Sequence, residues 1–163
     1  IIKKVARWGL TLLVLFILFA LNTMPLTFFN LGEIRPAFIL IAIYYMTILR
    51  PDVMPYIIVF FLGLSLDLIS SYPLGLNALI LVSVQWLVKG QRRFLMSQSF
   101  KFIWAGFFIV ALVSGVVQWL VFSIFNFSLY SLKPVFFSVL FSGFIFPLVA
   151  LPLSLMQKSI EED

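Results

Sequence analysis

The chain has no cysteine, no histidine and few charged residues. Disulfides, thiol chemistry and zinc sites built on His or Cys are therefore excluded, as is a Ser-His-Asp triad. No paired carboxylates fall in or near the apolar segments, and no glycine-rich phosphate loop is present. The sequence thus predicts a protein that is not an enzyme and that holds no cofactor or metal.

The residues that are present are mostly apolar. Hydrophobic residues make up 63% of the 163 positions and charged residues only 10%, whereas a soluble domain carries about a quarter charged residues. In water such a chain would expose large apolar patches, so a bilayer is its natural solvent. Length and composition predict one polytopic membrane domain over residues 1–163. The net charge of +5 is scattered around apolar segments, which indicates membrane topology rather than nucleic-acid binding.

Charges and prolines divide the chain into six apolar segments, which predict an all-α protein with six transmembrane helices. A spanning helix needs about 20 apolar residues, and some of the middle segments are shorter than that. Short segments can cross a thinned bilayer; the alternative is re-entrant pieces buried against protein. The predicted spans are 8–29, 36–49, 53–71, 74–88, 102–125 and 134–156.

The basic residues are distributed unevenly between the two predicted membrane faces. Six spans place both termini on one side, where nine of the eleven basic residues fall; Arg35 and Lys133 fall on the other. Because basic loops stay inside, both termini are predicted to be cytoplasmic. One segment, "KGQRRFLMSQSFK", contributes most of the bias. Binding of anionic lipid headgroups or of an acidic partner is an alternative role for it. Its basic residues are Lys89, Arg92, Arg93 and Lys101.

Asp67 is a lone acid inside the apolar run "FFLGLSLDLISSYPLGLNAL". A carboxylate in hydrocarbon costs about 2.5–3.5 kcal/mol on insertion scales, so Asp67 should face protein or a watery cleft. A turn follows at once. The candidate donors to Asp67 are the hydroxyl groups of Ser70 and Ser71 or the N–H groups that open the next helix, around Leu74 to Asn77. This favours a structural role at the turn, with a proton or ion site as the alternative. The residues assigned to this turn and its packing are Gly63, Asp67, Ser70, Pro73 and Gly75.

The fifth predicted span carries small and polar residues on one face. Two of them form a small-xxx-small pair, which favours close helix packing in membranes. The face predicts an internal seam of the bundle or a contact surface for a partner helix, and a ligand cavity lined by the same residues is a further alternative. Its members are Ala111, Ser114, Gly115 and Gln118.

Two stretches, "EIRPAFILIAIYYMTILRPD" and "FFLGLSLDLISSYPLGLNAL", resemble the MreD family of bacterial rod-shape proteins. The family pattern has an Arg-Pro entering the second span, an aromatic-rich stretch, and then a G-x-x-x-D-x-x-S run closed by Leu-Gly. It identifies no catalytic residue. The matching positions are Arg35, Pro36, Tyr44, Tyr45, Gly63, Asp67, Ser70, Leu74 and Gly75.

The resemblance implies a multi-pass protein of the bacterial inner membrane with a non-enzymatic role in the cell-elongation complex. MreD-like proteins act with MreC, a bitopic membrane protein, and link MreB filaments to the peptidoglycan synthase RodA and its partner transpeptidase. Self-association is a further expectation. The MreD fold also resembles the six-helix substrate-binding subunits of energy-coupling-factor transporters. That similarity supplies the alternative function, a subunit for vitamin-type small-molecule uptake.

Overall fold

The computed structural model describes residues 1–23, 37–70 and 73–161. These three ranges are almost entirely helical and contain no strand. A short 3₁₀ turn, Pro51–Val53, separates the second and third helices. The α-helices are α1 Ile2–Thr23, α2 Phe38–Leu49, α3 Tyr56–Ser70, α4 Leu76–Gly90, α5 Arg92–Met96, α6 Phe100–Phe125 and α7 Lys133–Glu161.

Three helices are long and apolar enough to cross a membrane, namely Ile2–Thr23, Phe100–Phe125 and Lys133–Leu155. The apolar helices α2, α3 and α4 have 12, 15 and 15 residues. At about 1.5 Å per residue they rise only about 18–23 Å, less than the roughly 30 Å hydrocarbon core. The chain is therefore a multi-pass helical membrane protein, and the count of six full spans stays a prediction.

Most helix bounds lie within two or three residues of the predicted spans, with three exceptions. The first helix begins at Ile2, six residues before the prediction, and its predicted end at 24–29 lies outside the described residues. The last helix continues to Glu161. The basic segment predicted as a loop instead contains the end of α4, the whole of α5 and the start of α6. Glu33, Arg35, Pro36 and Ser71 also lie outside the described residues.

Helix α2 forms the centre of the bundle. Ten consecutive residues, 39–48, are buried, and α1, α4, α5, α6 and α7 all pack against it. The Tyr44 ring packs edge-on against Phe107 at 5.6 Å, and Phe107 stacks on Phe146 at 4.8 Å. A helix that is buried on every side is apolar all round, which explains why α2 has no polar face.

Both ends of α2 are capped by side chains from other helices. Its own N-cap, Ala37, makes no side-chain cap, but the Ala37 N–H donates to the Ser142 hydroxyl at 2.8 Å. At the other end, the Arg92 guanidinium donates to the carbonyls of Ile48 at 2.8 Å and Leu49 at 3.3 Å. Without water, unpaired terminal groups of a buried helix are costly, so these contacts fix α2 between its neighbours.

The bundle has two chemically different ends. One end, which we call the cavity end, contains a cavity lined by six helix termini. These are the C-termini of α1, α3 and α6 and the N-termini of α2, α4 and α7. The opposite end, which we call the basic end, carries α5 and the residues around it. Of the basic residues that the structure describes, Lys133 belongs to the cavity end and the others to the basic end.

Candidate functional site: a polar cavity beside the Asp67 turn

A cavity of about 420 Å³ occupies the cavity end of the bundle. Aliphatic side chains of α2, α3 and α4 form part of its wall, and α6 and α7 supply hydroxyl, amide and aromatic groups. Among the described residues that line it there is no Lys, Arg, Asp or Glu. Its polar lining residues are Asn22, Ser70, Asn77, Ser114, Gln118, Trp119, Tyr130, Ser131, Ser138 and Ser142.

Asp67 lies directly behind this cavity and is 1% exposed. Its Oδ2 accepts a hydrogen bond from the Gly75 N–H at 2.9 Å, and its Oδ1 accepts from the Asn77 main-chain N–H at 3.0 Å. Both donors are N–H groups at the start of the next helix, one of the predicted alternatives. The Ser70 hydroxyl, another predicted donor, makes no hydrogen bond to Asp67, and Ser71 lies outside the described residues. Gly75 adopts φ +95°, a left-handed conformation that favours glycine. The acid and the glycine together form the turn between α3 and α4.

A chain of side-chain hydrogen bonds connects Asp67 to the cavity. The Asn77 amide nitrogen donates to Asp67 Oδ1 at 2.9 Å, and the Asn77 amide oxygen accepts from the Gln118 amide nitrogen. Because Asp67 Oδ1 accepts from the Asn77 amide nitrogen, the Asn77 amide oxygen faces Gln118, and Asn77 in turn orients Gln118. The Gln118 amide oxygen is left without a partner among the described residues.

Helices α3 and α4 approach each other closely at Gly63. A Cβ built there would lie under 3.0 Å from backbone atoms of Asn77 and Ala78. The glycine therefore allows the two backbones to touch, as small residues do at membrane helix interfaces. This contact brings Asn77, and with it the start of α4, within reach of Asp67 one turn further along α3.

The polar face predicted on the fifth span points into the bundle. Ala111 and Ser114 are buried, and a Cβ on Gly115 would lie 2.8 Å from a Val135 methyl group of α7. All four members of the face, Gln118 included, line the cavity. The geometry thus combines two of the predicted alternatives, an internal seam and a cavity wall.

Aromatic residues that the sequence analysis did not single out form another part of the cavity wall. The Trp119 indole N–H donates to the Tyr130 carbonyl at 2.8 Å, and the rings of Phe122 and Tyr130 lie 4.9 Å apart. These contacts hold the α6–α7 connection against α6. The sequence did contain one signal for this wall, since Trp119 directly follows Gln118 near the end of a predicted span. Its position in the cavity wall could not be predicted, because that depends on how α7 folds back against α6.

The four basic residues predicted to act together have different surroundings at the basic end. Arg92 caps α2, so its side chain contacts the bundle. The Lys89 ammonium lies 4.9 Å from the centre of the Tyr56 ring, a cation–π contact between α4 and α3. Arg93 and Lys101 are exposed. Capping by Arg92 was missed because a sequence does not show which helix end a neighbouring guanidinium reaches.

The site is suited to neutral hydrogen bonding. No group of three or more acidic residues that could hold a metal ion occurs within the part of the chain that the structure describes. Its one acid, Asp67, has both oxygens occupied by N–H donors. The cavity wall instead carries hydroxyl groups, amides and aromatic rings; of these, Asn77 and through it Gln118 are oriented by Asp67.

These features define a class, a polytopic helical membrane protein with a central buried helix and a neutral cavity at one end. Comparison with known families is more specific. The family of the rod shape-determining protein MreD matches residues 2–158, so the chain belongs to the MreD family, and the resemblance drawn from its motifs is confirmed. No curated protein and no solved structure matches the chain significantly.

Proposed function

We propose that this chain is a non-enzymatic membrane scaffold of the bacterial cell-elongation complex. The observation that supports this most directly is the family match, which spans residues 2–158 and indicates a role in rod shape determination. In this proposal the chain lies in the inner membrane with both termini in the cytoplasm. It binds an MreC-like bitopic protein and helps couple MreB filaments to peptidoglycan synthesis by RodA and its partner transpeptidase. Self-association and contact with anionic lipids are further parts of the proposal.

The short connections between the described helices favour a partner held within the membrane. A standard interface buries about 800 Å² on each side. The described connections at 97–99 and 126–132 are too short to provide that area, and the connection at 24–36 lies outside the described residues. In lipid, helices associate through close packing and interhelical hydrogen bonds. Because the faces containing Gly63 and Gly115 point inward, the partner helix in this proposal packs on outward faces of the bundle.

Two experiments test the proposal. Removing the chain from the bacterium that makes it should abolish rod shape, and re-expressing the chain should restore it. An MreC-like protein with its transmembrane helix should co-purify with the chain from native membranes, whereas a soluble fragment without that helix should bind far more weakly. Equal binding by the soluble fragment would rule out the membrane interface. Unchanged cell shape after removal would contradict the scaffold role itself.

The alternative function, a substrate-binding subunit of an uptake transporter, depends on a fold likeness that no solved structure supports.

A further inference from the structure

Two polar groups of α6 face the cavity without a partner. Ser114 is 7% exposed, lines the cavity, and its hydroxyl has no hydrogen bond to any described residue. The Gln118 amide oxygen, one turn further along, is equally unpaired. Buried polar groups are rarely left without hydrogen bonds, because desolvation without compensation is costly. The pair is therefore a donor and an acceptor, one helical turn apart, available to an occupant of the cavity.

The rest of the lining limits what that occupant is. No Lys, Arg, Asp or Glu lines the described wall, so its hydrogen-bonding groups are neutral hydroxyls and amides, which favour a ligand without charge. The indole N–H of Trp119 is already used by Tyr130, so this residue contributes its ring to the cavity. Rings of Trp119 and Phe122 beside hydroxyl and amide groups suit a ligand with a flat or apolar face and a polar edge. A volume of about 420 Å³ falls in the usual range for small-molecule sites.

We propose that this cavity binds a small, uncharged ring compound bearing hydroxyl or amide groups, through Ser114, Gln118 and the aromatic wall. Asp67 is a positioning residue for the site, since it orients Asn77, and Asn77 orients Gln118. The ligand site does not depend on the scaffold function, because it is defined by the cavity alone. An occupied cavity would bridge α6, α7 and the α3–α4 turn, so binding should also stabilise the bundle.

The test uses the purified full chain and four ring compounds, with thermal unfolding and calorimetry as readouts. Methyl glucoside and uridine are the neutral probes, and glucuronate and glucosamine are charged counterparts of the sugar. At least one neutral probe should bind saturably up to millimolar concentration and raise the unfolding temperature. The two charged sugars should do neither. Absence of saturable binding by both neutral probes would overturn the proposal, and so would equal binding of charged and neutral sugars.

A pair of serine variants on the same helix separates the site from general stability. Ser114→Ala should weaken binding of the neutral probe about twofold to tenfold, the effect of one net hydrogen bond. Ser123 is also 7% exposed and its hydroxyl is also unpaired, but it does not line the cavity, so Ser123→Ala should leave binding unchanged. Equal effects of the two substitutions on probe binding would contradict the assignment of Ser114 to the ligand site.

Mass spectrometry of the chain purified from native membranes gives an independent readout. A co-purified neutral ring compound that Ser114→Ala depletes would support the site. If the cavity instead held a lipid acyl chain, and both serine variants retained that lipid equally, the ligand proposal would be overturned. Because these measurements use the purified chain, their failure leaves the cell-shape role intact. Likewise, a result that contradicts the cell-shape role would not affect the ligand-site proposal.

Discussion

The Oδ1 atom of Asp67 accepts hydrogen bonds from both the main-chain and the side-chain nitrogen of Asn77, at 3.0 and 2.9 Å. Its other oxygen accepts from the Gly75 N–H. Both carboxyl oxygens therefore have donors, one from Gly75, directly before α4, and the others from Asn77 in its first turn. This arrangement accounts for an acid in an apolar run, because its hydrogen bonds replace those that water would have made.

Replacing Asp67 tests how much of the turn depends on these bonds. From the sequence alone we expect Asp67→Asn to retain most of the fold, since an acceptor oxygen remains. The geometry modifies this expectation, because the new amide nitrogen would face an N–H donor. Asp67→Asn should lower the unfolding temperature in detergent, and Asp67→Leu should lower it further, since unpaired buried donors cost about 1–3 kcal/mol.

The exposed acid Asp52 provides a matched control for Asp67. Asp52→Asn removes a carboxylate but leaves the turn between α3 and α4 intact, so it should change the unfolding temperature little. Cell shape should follow stability across the three variants. If Asp67→Asn stays folded and abundant but abolishes shape as fully as Asp67→Leu, the charge itself matters, and the ion-site alternative is favoured.

The contact between Gly63 and α4 gives a second prediction. A methyl group at this position would overlap backbone atoms of Asn77 and Ala78, which cannot move aside as a flexible side chain can. Gly63→Ala should therefore destabilise the protein by about 1–3 kcal/mol, the usual cost of overpacking, as measured by thermal unfolding. Gly9 is the control, because a Cβ there meets nothing within 4 Å. Equal stability of the two alanine variants would refute the close contact.

Much of the helical layout could be predicted because apolar runs and proline breaks report directly on helix length. The turn at Asp67 was also accessible, since a lone acid before a Ser-Pro-Gly segment must find local donors. The central position of α2 was not, because lipid-facing and core-facing positions are equally apolar in a membrane protein. Contacts such as Ala37 with Ser142, 105 residues apart, depend on how α7 returns to α2. The cavity combines residues from six helices, so no single segment could reveal it.

The orientation of the chain in the membrane gives a third prediction. The basic end should face the cytoplasm and the cavity end the outside, because positively charged segments stay inside. The chain has no cysteine, so single cysteines at Gln91 and Ser131, both exposed, can be labelled cleanly. An impermeant thiol reagent applied to intact spheroplasts should modify Ser131→Cys and spare Gln91→Cys. The reverse pattern would invert the proposed topology.

Arg92 and Arg93 give the last prediction, because they are adjacent, equally charged and differently placed. Arg92 donates to the final carbonyls of α2, whereas Arg93 is exposed on α5. Arg92→Ala should lower stability by about 1–3 kcal/mol, because it leaves buried carbonyls unpaired, and Arg93→Ala should have little effect. Arg92→Lys should recover only part of the loss, since an ammonium lacks the planar fork that reaches two carbonyls. Both alanine variants remove one positive charge from the same segment, so a pure topology role would make them equivalent. Equal unfolding temperatures for these two variants would therefore show that Arg92 acts by its charge and not as the cap of the central helix.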